Sequence, residues 1–104
     1  MVARVLMDMA RTETAPRAAK LADALVTSIN AAGLRMHRHP HQTAGFSVLK
    51  SPDTPSVLLE LGFMSSEKDL ERLQDTEWRS KMAAAVRDGL VAWARDDTAR
   101  RGLK

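Results

Sequence analysis

The stretch SVLLELGF, Ser56–Phe63, sets one carboxylate into an otherwise apolar run, and it decides how the rest of the chain is interpreted. Pro55 precedes the run and Gly62 lies near its end. A short apolar run between such breakers predicts a strand buried on both faces, as parallel strands of α/β proteins are. A charge at the end of that strand is costly unless it is solvated, paired or directed at a ligand. Ligands of open α/β sheets bind at the carboxyl ends of the strands, so Glu60 is the candidate functional residue.

Length and composition indicate one small globular domain. The chain has 104 residues, of which 44% are hydrophobic and 28% charged, close to globular averages. The net charge is +3, but basic and acidic residues are interleaved, which indicates a solvated surface and not a nucleic-acid-binding stripe. No cysteine is present, which excludes disulfides and thiolate metal sites. No run approaches the roughly 20 apolar residues of a membrane span, and the first residues lack the pattern of a secretory signal peptide.

The amino-terminal third is predicted to form two helices. Apolar residues at helical spacing predict the first over about Val2–Ala10. The second is predicted to begin at the N-cap Thr14 and to end before Gly33. The apolar stripe of this second helix is Leu21, Leu25 and Ile29.

Three short strands are predicted in the middle of the chain. From Leu34 to His39 apolar and basic residues alternate, which predicts a strand that Pro40 ends. Gly45–Leu49 is the second strand candidate. The strand that ends with Glu60 is the third.

Two amphipathic helices are predicted after Phe63, the first with Ser66 as its N-cap and the second from about Asp75 to Asp97. Residues 98–104 are expected to be a frayed tail. Two or three strands cannot close a parallel sheet on their own. The predicted fold class is therefore α/β, one flank of a doubly wound mixed or parallel sheet packed by long amphipathic helices, in the order ααβββαα. Residues 1–104 are predicted to be a single partial domain.

Glu60 has two interpretations at this level. A carboxylate partly withdrawn from water is suited to accept and donate a proton near neutral pH, as a general base or acid or beside a metal. Alternatively, Glu60 lies at an exposed strand end and forms an ion pair with an arginine or lysine. The sequence leaves both open.

Three histidines, His37, His39 and His41, are the other candidates for chemistry. Residues two apart in a strand share a face, so three imidazoles could converge on zinc. A proline interrupts the alternation, two neighbouring arginines oppose a cation, and ligands from one short strand rarely meet tetrahedral angles. The segment is interpreted as a basic surface edge and not as a metal site.

Two segments, Gln42–Lys50 (QTAGFSVLK) and Pro55–Ser65 (PSVLLELGFMS), resemble the carboxyl-terminal half of zinc-dependent N-acetylmuramoyl-L-alanine amidases, which are bacterial cell-wall hydrolases. The segment Val5–Thr14 and the long final helix are similar to the same region, so the resemblance covers nearly the whole chain. It implies hydrolysis of the amide between N-acetylmuramic acid and L-alanine in peptidoglycan, in the periplasm or cell envelope. In the family, a glutamate of this motif serves in proton transfer, and Glu60 matches it.

The resemblance also implies zinc, which the family holds with two histidines and a glutamate from its amino-terminal half. That half is absent here, and His37, His39 and His41 do not match the ligand positions, so no metal ligand is assigned. The isolated chain is expected to be inactive, with peptidoglycan and the missing half or an activator protein as partners. Ser65-Ser66 stands where the family usually has Ser-Asn, and serine caps a helix about as well as asparagine.

Two other functions are compatible with the residues. A non-catalytic remnant could bind peptidoglycan or a partner amidase through the exposed side of an incomplete sheet. A small basic protein could contact nucleic acid, but only the pI near 9.8 supports this reading. We expect neither nucleic acid nor a membrane span to be involved.

Overall fold

A mixed three-stranded sheet with three helices organises the part of the chain that the computed structural model describes, which is residues 3–8, 15–44 and 54–102. The elements are β1 (Ala3–Asp8), α1 (Ala15–Ala31), β2 (Met36–Ala44), β3 (Val57–Glu60), α2 (Glu67–Gln74) and α3 (Thr76–Arg101). The predicted α/β class is confirmed. The predicted order ααβββαα is wrong, because the described elements follow the order βαββαα. The strand candidate Gly45–Leu49 and the N-cap Thr14 lie outside the described residues.

The largest correction concerns the first element, which is a strand where a helix over Val2–Ala10 was predicted. β1 is the central strand, with β2 on one side and β3 on the other. Ala3 and Val5 are buried against the helices, Leu6 is also buried, and Arg4 is half-buried. A segment of six residues is too short to distinguish the helical period from the strand period, and here pairing with two neighbouring strands makes it a strand.

Strand directions correct a second expectation. β1 and β2 are parallel and are joined through α1, as a crossover connection requires. β3 is antiparallel to β1, with Arg4 opposite Glu60, so the prediction that it has parallel neighbours is wrong. Every residue of β3 is half-buried, so the expected burial on both faces is also not found.

β2 also runs further than predicted. It continues through Pro40 to Ala44 instead of ending at that proline. The register of β1 with β2 shifts between the pairs Ala3–Met36 and Val5–His41, so the irregular stretch of β2 contains Pro40. Proline is tolerated at the edge of a sheet, and β2 is an edge strand of the sheet formed by the described residues.

The helical layer follows the predicted pattern. α1 buries the stripe Leu21, Leu25 and Ile29 as expected. It ends where Gly33, at φ +78°, turns the chain, and the N–H of Gly33 donates to the Asn30 carbonyl. α1 packs along α3, and both contribute to clusters with the sheet residue Leu59.

The carboxyl-terminal helices are capped as the sequence indicates. The Oγ of Ser66 accepts the Asp69 N–H at 3.3 Å, which confirms the predicted N-cap of α2. α3 begins after the N-cap Asp75 and ends at Arg101, beyond the predicted end near Asp97. None of the helices in the described ranges combines the length and the apolar content needed to cross a bilayer.

Candidate functional site

Glu60 is the last residue of β3 and lies directly opposite Arg4 of β1. The Nε of Arg4 donates to Oε2 of Glu60 at 2.7 Å. The two side chains are 24% and 26% exposed, so the pair is partly withdrawn from water. Side chains alternate along a strand, and Leu59 joins the helical clusters, so Glu60 lies on the opposite face of the sheet from α1 and α3.

The edge of the sheet at which Glu60 lies differs from the expected one. Glu60 is at the carboxyl end of its own strand, as predicted. Because β3 is antiparallel to β1, this end meets the amino ends of β1 and β2. The rule that ligands bind at the carboxyl ends of parallel strands therefore does not apply to this edge of the described sheet.

The structure shows the ion pair of the second interpretation, although Glu60 is half-buried and not at an exposed strand end. The pair joins residues 56 positions apart in the sequence, so no local motif could have predicted it. An incoming water, substrate or metal would compete with the guanidinium for Oε2. Among the described residues, the hydrogen bond of Glu60 is the one that its Oε2 accepts from Arg4.

The turn that follows Glu60 is held by Asp69. Asp69 is 3% exposed, and its Oδ2 accepts the backbone N–H of Phe63 at 2.9 Å. Its Oδ1 accepts from Nη1 of Arg72 at 2.7 Å. The pattern of Ser66 followed three residues later by an acid was a usable signal for this residue, since it marks a helix start.

Gly62 is required at this turn for two reasons. Its φ of +153° lies where side chains are rarely tolerated. A Cβ added there would also lie 3.1 Å from Cβ and Cγ of Asp69. The segment from Glu60 to Phe63 is therefore fixed against the start of α2 by one buried carboxylate and one glycine.

The three histidines do not converge on a metal. Nδ1 of His37 accepts the backbone N–H of His39 at 2.9 Å, and Nδ1 of His41 lies 2.9 Å from Oδ1 of Asp23. Within residues 3–8, 15–44 and 54–102, no group of three or more histidine, cysteine, aspartate or glutamate side chains could hold a metal ion. The described residues therefore do not fit the zinc site that the resemblance implies.

An apolar groove lies on the other side of β3, between that strand and α3. Its volume is about 500 Å³, and Leu59, Trp78, Met82 and Leu90 are among its lining residues. Leu90 is 44% exposed and Leu61, at the end of the groove next to Glu60, is 37% exposed. The groove leaves apolar surface in contact with solvent beside the strand that carries Glu60.

Comparison with known proteins identifies the family of this chain. Residues 3–92 match the sequence profile of the Amidase_3 family, N-acetylmuramoyl-L-alanine amidase. The chain belongs to this family. The matched range contains both Arg4 and Glu60, as well as the turn held by Asp69.

Relatives with this activity are longer than the chain. It is 31% identical over 90 residues to the N-acetylmuramoyl-L-alanine amidase AmiA of Salmonella typhimurium, a match that covers 86% of this chain and 31% of that protein. It is 29% identical over 103 residues to AmiC of Escherichia coli O6:H1, covering 97% of this chain and 24% of that amidase. The chain thus spans about a third or less of the curated amidases that it matches.

Solved amidases share the fold. The apo form of Ami1 from Mycobacterium abscessus aligns with a TM-score of 0.76 at 27% identity, over 89% of this chain and 47% of that one. The CwlD amidase from Clostridioides difficile, solved in complex with the GerS lipoprotein, aligns with a TM-score of 0.75 at 21% identity, over 90% of this chain and 46% of that one. The chain therefore corresponds in fold to about half of each amidase structure.

Proposed function

We propose that this amidase-family chain is the carboxyl-terminal part of a peptidoglycan hydrolase that cleaves the amide between N-acetylmuramic acid and L-alanine, with Glu60 as the proton-transfer residue. The family match over residues 3–92 carries this proposal, because it spans the motif around Glu60. The resemblance of that motif to the family pattern supports the role of Glu60. On this proposal the described sheet is one flank of a larger doubly wound sheet, and the protein acts in the periplasm or cell envelope.

Amide hydrolysis requires two proton transfers, and one group can carry out both. A proton must leave the attacking water, and a proton must reach the departing nitrogen. A single carboxylate can do both in turn. Glu60 suits this role because its Oε1 is not engaged within the described part of the chain, while its contact with Arg4 holds Oε2 in place at 2.7 Å.

Zinc enters the proposal only through the family resemblance. The described residues do not provide a ligand set for it. We therefore assign the ligands to a segment that this chain does not contain, either the corresponding amino-terminal half or a partner that supplies it. The 104-residue chain alone is proposed to be inactive, with peptidoglycan as the substrate of the completed enzyme.

The test joins the chain to an amino-terminal half. A fusion to the corresponding half of Ami1 from Mycobacterium abscessus would be incubated with purified sacculi, and released peptide would be quantified. We expect release from the fusion, and a loss of about 10²- to 10⁴-fold with Glu60→Gln. Glu71→Gln makes the same chemical change at an exposed position of α2 and should leave the rate unchanged. Full activity in Glu60→Gln would contradict the assigned role.

The Arg4–Glu60 ion pair favours a second candidate, a non-catalytic chain that binds peptidoglycan or a partner amidase. On this second reading, the ion pair at 2.7 Å joins β1 to β3 and Glu60 carries out no chemistry. The exposed apolar groove beside β3 would then provide contact area. Three results together would favour this candidate. The isolated chain would co-sediment with sacculi, Glu60→Gln would not change that binding, and the fusions would be inactive.

A further inference from the structure

We propose that Arg4 is a positioning residue for Glu60: its guanidinium fixes the carboxylate through Oε2 and so directs the transferred proton to Oε1. The contact that carries this inference joins Nε of Arg4 to Oε2 of Glu60 at 2.7 Å. Arg4 acts only through Glu60 and does not contact the reacting atoms. The inference rests on the proposed function, which assigns the proton transfer to Glu60, and adds the residue that orients it.

Strand pairing places the two side chains side by side on one face of the sheet. Arg4 of β1 lies directly opposite Glu60 of β3 in the antiparallel pair, and the same register continues to Met7 and Val57. Residues directly opposite each other have Cβ atoms about 4.5–5.5 Å apart, so the two side chains meet without reaching across another residue. The backbone of two paired strands therefore sets the distance between the guanidinium and the carboxylate.

The geometry of the contact suits an anchor. Arg4 uses Nε, the guanidinium nitrogen nearest its aliphatic stem, and the length of 2.7 Å is typical of a charge-assisted hydrogen bond. Arg4 has a further interaction besides this hydrogen bond. A planar guanidinium that is held by more than one interaction has few rotamers left, so it can fix the orientation of the carboxylate that it contacts.

Apolar side chains border the ion pair on the same face of the sheet. Side chains alternate along each strand, so the cross-strand pair of Leu6 and Leu58 is the neighbour of Arg4 and Glu60 on that face. Leu6 is 5% exposed, and about three-quarters of each charged side chain is covered as well. Opposite charges attract each other more strongly where water is partly excluded. The surroundings therefore help to keep the carboxylate in contact with the guanidinium.

The backbone of Glu60 is held independently of Arg4. Oδ2 of Asp69 accepts the Phe63 N–H at 2.9 Å, and Gly62 packs closely against the same aspartate. When Arg4 is replaced, the end of β3 should therefore stay in place while the carboxylate gains rotamers. The orientation of the side chain can thus be tested separately from the fold.

The contact also distinguishes the two oxygens of Glu60. A proton that binds Oε2 would displace the N–H of Arg4 from that oxygen and cost a charge-assisted hydrogen bond. The proton that leaves the attacking water is therefore expected to bind Oε1, and the same oxygen passes it to the departing nitrogen. A carboxylate that turns freely spends less time with the reactive oxygen in place, which slows the reaction.

Kinetics of the fusion with the Ami1 half test the role of Arg4. Arg4→Gln should lower the single-turnover rate of peptide release about 10- to 100-fold and leave the half-saturating amount of sacculi unchanged, because Arg4 does not contact the substrate. Arg4→Lys keeps the positive charge and should restore the rate to within about fivefold of wild type. Arg100→Gln breaks an exposed ion pair with Asp96 and is the matched control, which should keep the wild-type rate.

A double-variant cycle separates positioning from a structural role. If Arg4 acts through Glu60, Arg4→Gln should lower the rate by less than about twofold once Glu60→Gln is present. An effect on the fold alone would instead lower the rate by the same factor in both backgrounds.

NMR of the 104-residue chain gives a readout that does not require turnover. Side-chain couplings of Glu60 should indicate one rotamer in the wild type and averaging over several in Arg4→Gln. The amide shift of Phe63 should be the same in both, because Asp69 still holds the turn.

Three results would each overturn the positioning role. They are a wild-type rate in the Arg4→Gln fusion, equal losses from Arg4→Gln in both backgrounds, and a Glu60 rotamer that Arg4→Gln leaves unchanged. An inactive wild-type fusion would refute the hydrolase and, with it, any role of Arg4 in that reaction. An active fusion whose rate does not respond to Arg4→Gln would refute the positioning role alone.

Discussion

The two sides of the sheet are built in different ways. On one side, α1 and α3 pack against the sheet in a layer of apolar contacts. Val5 of β1 and Ile29 of α1 are fully buried in this layer. On the other side, the half-buried side chains of Arg4 and Glu60 form an ion pair. Apolar burial dominates stability, and exposed ion pairs contribute little. The helical side should therefore determine whether the chain folds, while the Glu60 edge can change with small effect on folding.

The largest expected effect on stability comes from creating a cavity in the apolar layer between the helices and the sheet. Ile29→Ala removes a side chain with no exposure and should lower the free energy of unfolding by about 2–5 kcal/mol. Urea denaturation followed by circular dichroism measures this. Leu90→Ala, at a position that is 44% exposed, is the control and should cost much less. Similar losses in both would show that the buried layer does not dominate stability.

Asp69→Asn tests the one place where the polar edge contains a buried charge. The change removes the ion pair with Arg72 and weakens the acceptor of the Phe63 N–H. We expect a fall in Tm of several degrees and faster hydrogen exchange at Phe63. Asp88→Asn, which breaks an exposed pair with Arg87, should change Tm far less. An unchanged Phe63 amide would mean that Asp69 does not hold the turn.

Gly89→Ala probes how closely the two long helices approach. The added Cβ would lie 3.1 Å from Cδ2 of Leu25 and 3.2 Å from the Ala24 carbonyl oxygen. The backbone atom cannot move aside without separating α1 from α3, so we expect destabilisation of about 1–2 kcal/mol, partly offset by the better helix propensity of alanine. Gly102→Ala meets its nearest atom, a carbonyl oxygen of its own helix, at 3.4 Å and should be nearly neutral. A stabilised Gly89→Ala would contradict the close packing.

Glu60→Gln should have a small effect on stability. The partner side chains are about a quarter exposed, so losing the ion pair should cost no more than about 1 kcal/mol. Chemical denaturation of Glu60→Gln and Arg4→Gln would measure it. Unfolding of either variant at room temperature would show that this pair, and not the helical layer, holds the sheet together.

The ion pair between Arg17 and Asp97 makes the stability of the helical side depend on pH. The hydrogen bond from Arg17 lowers the pKa of Asp97 below its ordinary value, and nearby Arg101 adds to this. A lowered folded-state pKa means that the stabilisation is present above roughly pH 4 and is lost as the pH falls through the folded-state value. The Tm difference between wild type and Asp97→Asn should therefore be larger at pH 7 than at pH 2. A constant difference would contradict the linkage.

Sequence reasoning succeeded where structure is local. The stripe of α1, the turn at Gly33 and the N-cap Ser66 depend on residues within a few positions, and each was predicted correctly. β1 was misread because six residues fit both periods, and only its two partners select a strand.

The environment of the candidate site could not be read from the sequence. The motif singled out Glu60, but its contact with Arg4 depends on the antiparallel pairing of β3, which no local pattern specifies. Residues 35–41 were predicted to form a basic surface edge, and within them Arg35 and Arg38 are exposed.

The most direct test of the account is the single-turnover rate of peptide release by the joined enzyme carrying Glu60→Gln, compared with Glu71→Gln in the same fusion. The account predicts that Glu60→Gln folds normally and loses about 10²- to 10⁴-fold in rate, while Glu71→Gln keeps the wild-type rate. A folded Glu60→Gln fusion that releases peptide at the wild-type rate would contradict it.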